Sequence, residues 1–79
     1  MTNALLENLD RIHTTEMGVD RIRRNMNLGD IDVVSWCKEK ILDKNSETER
    51  RGKNWYVQDN DCIITVNASS YTIITVHRR

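Results

Sequence analysis

Two short β-branched segments near the C-terminus constrain the fold of this chain more than any other feature. Residues 62–66 read Cys-Ile-Ile-Thr-Val, and residues 72–76 read Thr-Ile-Ile-Thr-Val. We predict that the two segments pair as an antiparallel hairpin, because β-branched residues favour strands and because a short connection joins antiparallel neighbours. The first half of the chain must then bury its apolar side chains against this sheet.

The register of the hairpin decides which of its side chains face the core, since a slip of one residue exchanges the two sides. We predict that Ile64 faces Ile74. The buried side then carries five residues, which are Cys62, Ile64, Val66, Ile74 and Val76. The other side carries Thr65, Thr75 and His77 together with Ile63 and Ile73. Pairing of Ile64 with Ile73 would instead mix polar and apolar residues on both sides. The preferred register needs an odd-length loop over residues 67–71, which contain no glycine for a two-residue turn.

The first half of the chain predicts two or three helices. Apolar residues follow helical spacing within residues 3–13, and Thr14 or Thr15 is suited to cap a second helix. The pattern leaves open whether these two helices are continuous, because neither Gly nor Pro forces a break between them. Gly29 is predicted to close the second helix in the left-handed conformation, and Asp32 to cap the third.

The fold class predicted from these elements is α+β, with two or three N-terminal helices packed on one face of a three-stranded antiparallel β-meander. The chain is expected to form a single domain over residues 1–79. It divides into a helical half (1–44), a polar connection (45–52) and the meander (53–79). The connection contains no bulky apolar residue, and its Ser46 and Glu49 have the spacing that caps a short helical turn. The first strand of the meander is expected over residues 54–58.

Composition limits the classes of function. The 79 residues include twelve basic and twelve acidic side chains, so the net charge gives no general attraction to nucleic acid or membranes. Cys37 and Cys62 lack the spacing of a zinc site, and we expect no metal and no cofactor. We interpret the two cysteines as buried free thiols, although a single disulfide between them is the alternative. The N-terminus does not resemble a signal peptide, and no segment reaches transmembrane length, which predicts a cytoplasmic protein.

Polar residues of the meander are the candidates for function. The candidate binding residues are Arg51, Lys53, Thr65, Asn67, Ser70, Tyr71, Thr75 and His77. Hydroxyl, amide and basic groups of this kind are suited to a phosphate, a nucleotide or an acidic protein surface. The competing interpretation is that the threonines occupy the solvent side of a half-buried sheet. Metal-independent cleavage of RNA is the alternative activity, and its candidate catalytic residues are His77, Lys53, Arg51 and Tyr71. His13 is a further candidate base, although a position at a helix end gives it an ordinary structural role.

Several short motifs carry a resemblance that extends along nearly the full chain. They are Thr15-Glu16-Met17-Gly18, Arg21-Ile22 with Asn25, Trp36-Cys37-Lys38, Gly52-Lys53-Asn54-Trp55-Tyr56, Ile64-Thr65-Val66-Asn67 and Ser70-Tyr71-Thr72-Ile73-Ile74-Thr75-Val76-His77. With these motifs the chain resembles a family of small bacterial and phage-associated domains of unknown function. The resemblance implies the domain boundaries and an intracellular setting, and it implies no reaction. The order of helices and strands is also similar to ribonuclease toxins of the barnase and colicin type, but no catalytic set transfers residue by residue.

We therefore expect a small intracellular recognition module that binds a protein, a nucleotide-like ligand or nucleic acid. Its size is consistent with an accessory or inhibitor protein of a mobile element. A homodimer that uses Ile63 and Ile73 on the outer side of the sheet is a further expectation, because such residues suit a covered surface better than one facing water. The alternative function is a metal-independent ribonuclease of toxin type.

Overall fold

The helical half consists of three short α-helices. A computed structural model describes residues 4–79, with helices α1 (Ala4–Glu7), α2 (Glu16–Met26) and α3 (Val33–Leu42) and a 3₁₀ turn over Leu9–Arg11. The first predicted helix is thus shorter than expected, and its residue Asn3 lies outside the described residues. Residues 12–15 are not helical, so the first two helices are not continuous. In the part of the chain that the structure describes, no helix has both the length and the apolar character needed to span a bilayer.

Side-chain caps define where the longer helices begin. The Thr15 hydroxyl accepts a hydrogen bond of 3.0 Å from the Gly18 amide at the start of α2. Asp32 accepts from the first amides of α3, and the bond from the Ser35 amide is the main reason that the pKa of Asp32 lies below its ordinary value. The prediction for the end of α2 is wrong, because Asn27 rather than Gly29 takes the left-handed conformation, with φ of 54°. An asparagine tolerates that conformation better than most residues.

The sheet contains four antiparallel strands rather than the three predicted. They are β1 (Glu47–Arg51), β2 (Asn54–Gln58), β3 (Cys62–Asn67) and β4 (Ile73–Arg78), and they lie in the order β1-β2-β3-β4. The extra strand, β1, forms within the segment predicted to be a polar connection, so the expected helical turn there is wrong. β1 is an exposed edge strand that needs little apolar surface. Gly52, at φ of +57°, and Lys53 form the tight turn into β2.

A β-bulge in β4 changes the predicted register of the central hairpin. Ile64 faces Val76 rather than Ile74, and the pairing shifts between Thr65 and Val66, so that Val66 faces Ile73. The extra residue exchanges the two isoleucines between faces. Ile73 is 1% exposed in the core, whereas Ile74 is 40% exposed. The prediction that Ile74 is buried and Ile73 lies on the outer side is therefore wrong, while the longer loop is confirmed.

The core lies between the helices and one face of the sheet. Its buried apolar residues are Leu5, Ile12, Ile22, Met26, Val33, Cys37, Ile41, Trp55, Val57, Cys62, Ile64, Val66, Tyr71, Ile73 and Val76. The α2 helix packs along β4, where the Asn25 side-chain amide donates to the Val76 carbonyl over 3.1 Å. The other side of the sheet, which we call the outer face, carries the alternate residues of the four strands. The α+β class is thus confirmed.

Candidate functional site

The β1–β2 turn and the β3–β4 loop meet at one end of the sheet. The Ala68 amide, in the loop, donates to the carbonyl of Lys53, in the turn, over 2.8 Å. The segment that precedes α2 reaches the same end, because the His13 amide donates to the Tyr71 carbonyl over 3.2 Å. We call this region the basic end and define it by Arg11, Arg50 and Lys53, which belong to these segments, whereas Arg51 flanks the same turn on the outer face.

Two arginines of the basic end are held over aromatic rings. The guanidinium carbon of Arg11 lies 4.8 Å from the centre of the Tyr71 ring, and that of Arg50 lies 5.4 Å from the centre of the Trp55 ring. Both rings belong to residues that are 9% exposed, so the arginines cover the margin of the core. Arg50 is also fixed by a hydrogen bond of 3.1 Å from its Nε to the Gly52 carbonyl. A stacked guanidinium is positioned in advance and keeps donors in its plane for an anion.

Lys53 is the least constrained cation at this end. Its residue is exposed, and among residues 4–79 no ion pair involves its ammonium group. Arg51 differs, because its Nε lies 3.5 Å from a carboxylate oxygen of Glu49 and its guanidinium stacks over Tyr56 at 5.0 Å on the outer face. The charge of Arg51 is thus partly offset, and that of Lys53 is available to an anion.

A compact loop of polar groups lies beside these cations. The side-chain oxygen of Asn67 accepts hydrogen bonds from the amides of Ser69 and Ser70 at 2.9 and 3.0 Å, which forms a turn typical of asparagine. The Ser70 hydroxyl lies 3.2 Å from the same oxygen and 2.7 Å from the Thr72 hydroxyl. Asn67 therefore organises the loop, and the two exposed serines present its polar surface.

His13 extends this network from the other half of the chain. Its Nε2 lies 3.1 Å from the Thr72 hydroxyl oxygen, and its Nδ1 lies 2.9 Å from the Arg11 carbonyl. Because a carbonyl only accepts, Nδ1 carries a proton in this arrangement. His13 was predicted to lie at the end of a helix with an ordinary structural role. It instead follows the 3₁₀ turn and contacts the β3–β4 loop. No spacing in the sequence links it to Thr72, since the two residues are brought together by the tertiary fold.

The structure divides the predicted site residues between two regions. Asn67, Ser70, Tyr71 and Lys53 lie at the basic end, although the Tyr71 ring is buried under Arg11 rather than presented to a ligand. The residues on the outer face are Arg51, Thr65, Thr75, His77 and Ile63. Thr65 faces Thr75 there, and Thr65 is buried at 8% exposed. The predicted binding residues thus do not form one continuous patch.

The proposed ribonuclease residues are not gathered at one point. His77 pairs with Ile63 near the start of β3, whereas Asn67, next to the turn that carries Lys53, ends that strand. The separation between Ile63 and Asn67 along the strand is ~13 Å at the ordinary rise per residue. The outer surface expected to form a homodimer also changes, because Ile73 is buried in the core while Ile63 remains half-buried on the outer face.

The opposite end of the sheet contains a buried acid that sequence reasoning assigned only to a turn. Asp59 is 1% exposed, and its Oδ2 lies 3.9 Å from the Lys40 ammonium group of α3. Asp59 Oδ1 accepts from the Asn60 amide over 2.8 Å. Lys40 also approaches Asp61 at 3.7 Å. These contacts attach α3 to the β2–β3 turn and give Asp59 a structural role.

The two cysteines are buried free thiols, as predicted. Burial raises the pKa of Cys37 to about 12 and that of Cys62 to about 11. Thiols of this kind are poor nucleophiles at neutral pH. Within residues 4–79, His, Cys, Asp and Glu side chains form no group of three or more that is suited to hold a metal ion.

Comparison with known families identifies the family to which the chain belongs. The model of the family described as "Protein of unknown function (DUF3781)" matches residues 6–77, and the chain therefore belongs to that family. The predicted resemblance to a small domain family of unknown function is confirmed. No curated protein and no solved structure is detectably similar to the chain.

Proposed function

We propose that this member of the DUF3781 family is a small cytoplasmic recognition module whose basic end binds the phosphate groups of a single-stranded nucleic acid. The observation that carries the proposal is the arrangement of Arg11, Arg50 and Lys53 around the β3–β4 loop. Two of these cations are pre-oriented over aromatic rings, and the third is exposed. The role of an accessory or inhibitor protein of a mobile element, which the size of the chain suggested, is part of this proposal.

The chemistry of the basic end favours contacts to phosphate over contacts to bases. The Trp55 and Tyr71 rings are covered by the protein's own arginines, so neither ring offers an open face on which a base would stack. The exposed hydroxyl of Ser69 supplies a neutral donor next to the cations. Binding is therefore expected to be tolerant of sequence and to weaken with salt, with a contribution to the salt slope of about −0.7 for each phosphate contact.

Fluorescence anisotropy with a labelled single-stranded RNA tests this proposal. Lys53→Ala and Arg11→Ala should each weaken binding and lower the magnitude of the salt slope, because each removes a cation that contacts phosphate. Lys44→Ala and Arg21→Ala are matched controls, since both residues are exposed cations away from the basic end. Equal losses in all four variants would point to unspecific charge attraction and would contradict the proposed site.

The second candidate function is the metal-independent ribonuclease, and one observation favours it. His13 lies beside the basic end with its Nδ1 anchored on the Arg11 carbonyl and its Nε2 directed at the Thr72 hydroxyl. A histidine oriented in this way has the geometry of a general base. Such a base would take the proton of a ribose 2′-hydroxyl as the 2′-oxygen attacks the adjacent phosphorus, and a neighbouring cation would stabilise the phosphorane. The bond from phosphorus to the 5′-oxygen would then break, with the leaving oxygen taking a proton from the protonated His13 or from water.

Cleavage of labelled RNA in EDTA separates this candidate from simple binding. His13→Ala should abolish cleavage if the ribonuclease candidate is right, and His77→Ala should leave it intact because His77 lies at the other end of the strand. Binding without cleavage by the intact protein would support the recognition module alone.

A further inference from the structure

The two edge strands of the sheet, β1 and β4, differ in whether other parts of the chain cover them. The β4 edge is occupied, because the Ile73 amide donates to the His13 carbonyl over 2.7 Å and the Val76 carbonyl accepts from Asn25 over 3.1 Å. The β1 edge has β2 on one side, and within the described residues no strand or helix pairs with its other side. Within residues 4–79, the β1 edge is therefore the one that is available for adding a strand.

The charges on β1 are arranged to complement a second copy of the same strand. On the outer face the strand presents Glu47, Glu49 and Arg51 in that order. In an antiparallel pair centred on Glu49, each Glu47 would face Arg51 of the other copy, and Glu49 would face its own equivalent. The central carboxylates are each already paired with the Arg51 of their own chain at 3.5 Å, which moderates their repulsion.

The same pairing makes the outer faces of the two sheets continuous, and likewise their helical faces. Facing residues of antiparallel strands project to the same side. A pairing centred on a residue joins outer-face residues with outer-face residues, as in Glu47 with Arg51. On the helical side it joins Thr48 with Arg50 of the other copy. Charges on an edge strand oppose unspecific pairing. The charges of Glu47 and Arg51 are nevertheless complementary to those of a second β1 strand in this one register.

A groove next to the β1 edge would be covered by such a partner. It has a volume of about 320 Å³ and lies between β1, α1 and the end of α3. Its lining includes Thr48, Ile41 and Leu42, and Leu42 is 60% exposed. A strand laid along β1 would remove part of the Leu42 side chain from water, and two-fold symmetry would repeat the gain in the partner.

We propose that the chain forms a two-fold symmetric homodimer by antiparallel pairing of β1 with β1 of a second copy, which joins the two sheets into one of eight strands. The interface is set by two reciprocal ion pairs between Glu47 and Arg51. Of the basic end it includes Arg50, which faces Thr48 of the other copy, and it uses neither Arg11 and Lys53 nor the predicted outer surface at Ile63. The dimer therefore does not depend on the proposed binding of nucleic acid.

Sedimentation velocity of two charge-reversal variants tests the dimer. Glu47→Arg places like charges opposite Arg51, and Arg51→Glu places like charges opposite Glu47, so each variant alone should dimerise roughly tenfold more weakly than the wild type. An equimolar mixture of the two variants restores both ion pairs in a heterodimer and should recover dimerisation. Glu47 and Arg51 are exposed, and circular dichroism spectra would verify that both variants keep the fold.

The sedimentation results would either support or overturn pairing through β1. Weak self-association of both single variants with recovery in the mixture supports pairing through β1. A wild-type chain that stays monomeric at the highest attainable concentration overturns the proposal. Dimers that persist unchanged in both variants, or a mixture that fails to recover, also overturn it, because the contact would then lie elsewhere or lack the Glu47–Arg51 pairs.

Discussion

Nε2 of His13 lies 3.1 Å from the hydroxyl oxygen of Thr72, a residue 59 positions further along the chain. The contact is reinforced by backbone hydrogen bonds from the His13 amide to the Tyr71 carbonyl and from the Ile73 amide to the His13 carbonyl. The segment before α2 thereby extends the sheet beyond β4 with a short parallel bridge. This arrangement both closes the β4 edge and places His13 at the basic end.

Replacement of His13 should destabilise the fold more than replacement of the other histidine. His13→Ala removes the side-chain contacts to Thr72 and Arg11, and the expected loss is about 1 kcal/mol in the free energy of unfolding. His77→Ala affects an exposed residue on the outer face and should change the same quantity by less than about 0.5 kcal/mol. Urea denaturation at neutral pH measures both. Equal effects would contradict a structural role for the His13 contact.

The two glycines Gly18 and Gly29 should respond differently to alanine. A methyl group at Gly18 would collide with the hydroxyl of Thr14, and that hydroxyl donates to the Ile73 carbonyl over 3.0 Å. Gly18→Ala should therefore destabilise the protein by about 1–3 kcal/mol, although alanine favours helices by about 1 kcal/mol.

Gly29→Ala is the control for that experiment, because among residues 4–79 no atom beyond those of its chain neighbours lies within 4 Å of the added methyl group. Its stability should match that of the wild type or exceed it slightly in thermal or urea denaturation. Stabilisation by Gly18→Ala would mean that Thr14 moves without cost and that its bond to Ile73 matters little.

The bulge in β4 makes a testable distinction between adjacent isoleucines. Ile73→Ala creates a cavity in the core and should lower the free energy of unfolding by about 2–5 kcal/mol. Ile74→Ala alters a side chain that is 40% exposed and should cost less than about 1.5 kcal/mol. A larger loss for Ile74→Ala than for Ile73→Ala would contradict the bulge and indicate a register without it.

The buried thiols should make stability fall at alkaline pH. The unfolded chain ionises its cysteines from about pH 8.5 upwards, while burial keeps the pKa values of Cys62 and Cys37 at about 11 and about 12 in the folded state. Their folded-state pKa values are raised, so the stabilisation is fully present below the unfolded pKa and is lost as pH rises through the folded values. Between its unfolded and folded pKa values, each thiol lowers the free energy of unfolding by up to about 1.4 kcal/mol per pH unit.

Comparison of the wild type with a Cys37→Ala/Cys62→Ala double variant isolates this effect from the titration of lysine and tyrosine. The unfolding free energy of the wild type, relative to that of the double variant, should decrease as pH increases from about 8.5, where unfolded cysteines ionise, to about 11, the pKa of folded Cys62. A difference that is independent of pH would mean that the thiols ionise as freely in the folded protein as in the unfolded chain.

Sequence reasoning predicted the elements with strong local signals. The apolar pattern around Ile22 and Cys37 indicates amphipathic helices, and the capping roles of Thr15 and Asp32 follow from side-chain chemistry. The strands β2, β3 and β4 were likewise expected, because β-branched and aromatic residues concentrate there. These features depend on neighbours in the chain, which a sequence displays directly.

The missed features depend on contacts between distant parts of the chain. β1 carries the charges of a solvated loop and becomes a strand only because β2 offers it a hydrogen-bonding edge. The bulge at Ile74 replaces simple alternation, and no local signal distinguishes Ile73 from Ile74. The basic end escaped prediction for the same reason, since Arg11 and His13 reach the β3–β4 loop only through the tertiary fold.

A titration of the isotopically labelled protein with a short single-stranded RNA, followed by amide chemical shifts, tests the proposed binding function most directly. We predict progressive changes at the amides of Gly52 and Lys53 and along residues 67–72, with loss of these changes in Lys53→Ala. Changes confined to the outer face around Thr75 and His77, or no changes at all at moderate salt, would contradict binding at the basic end.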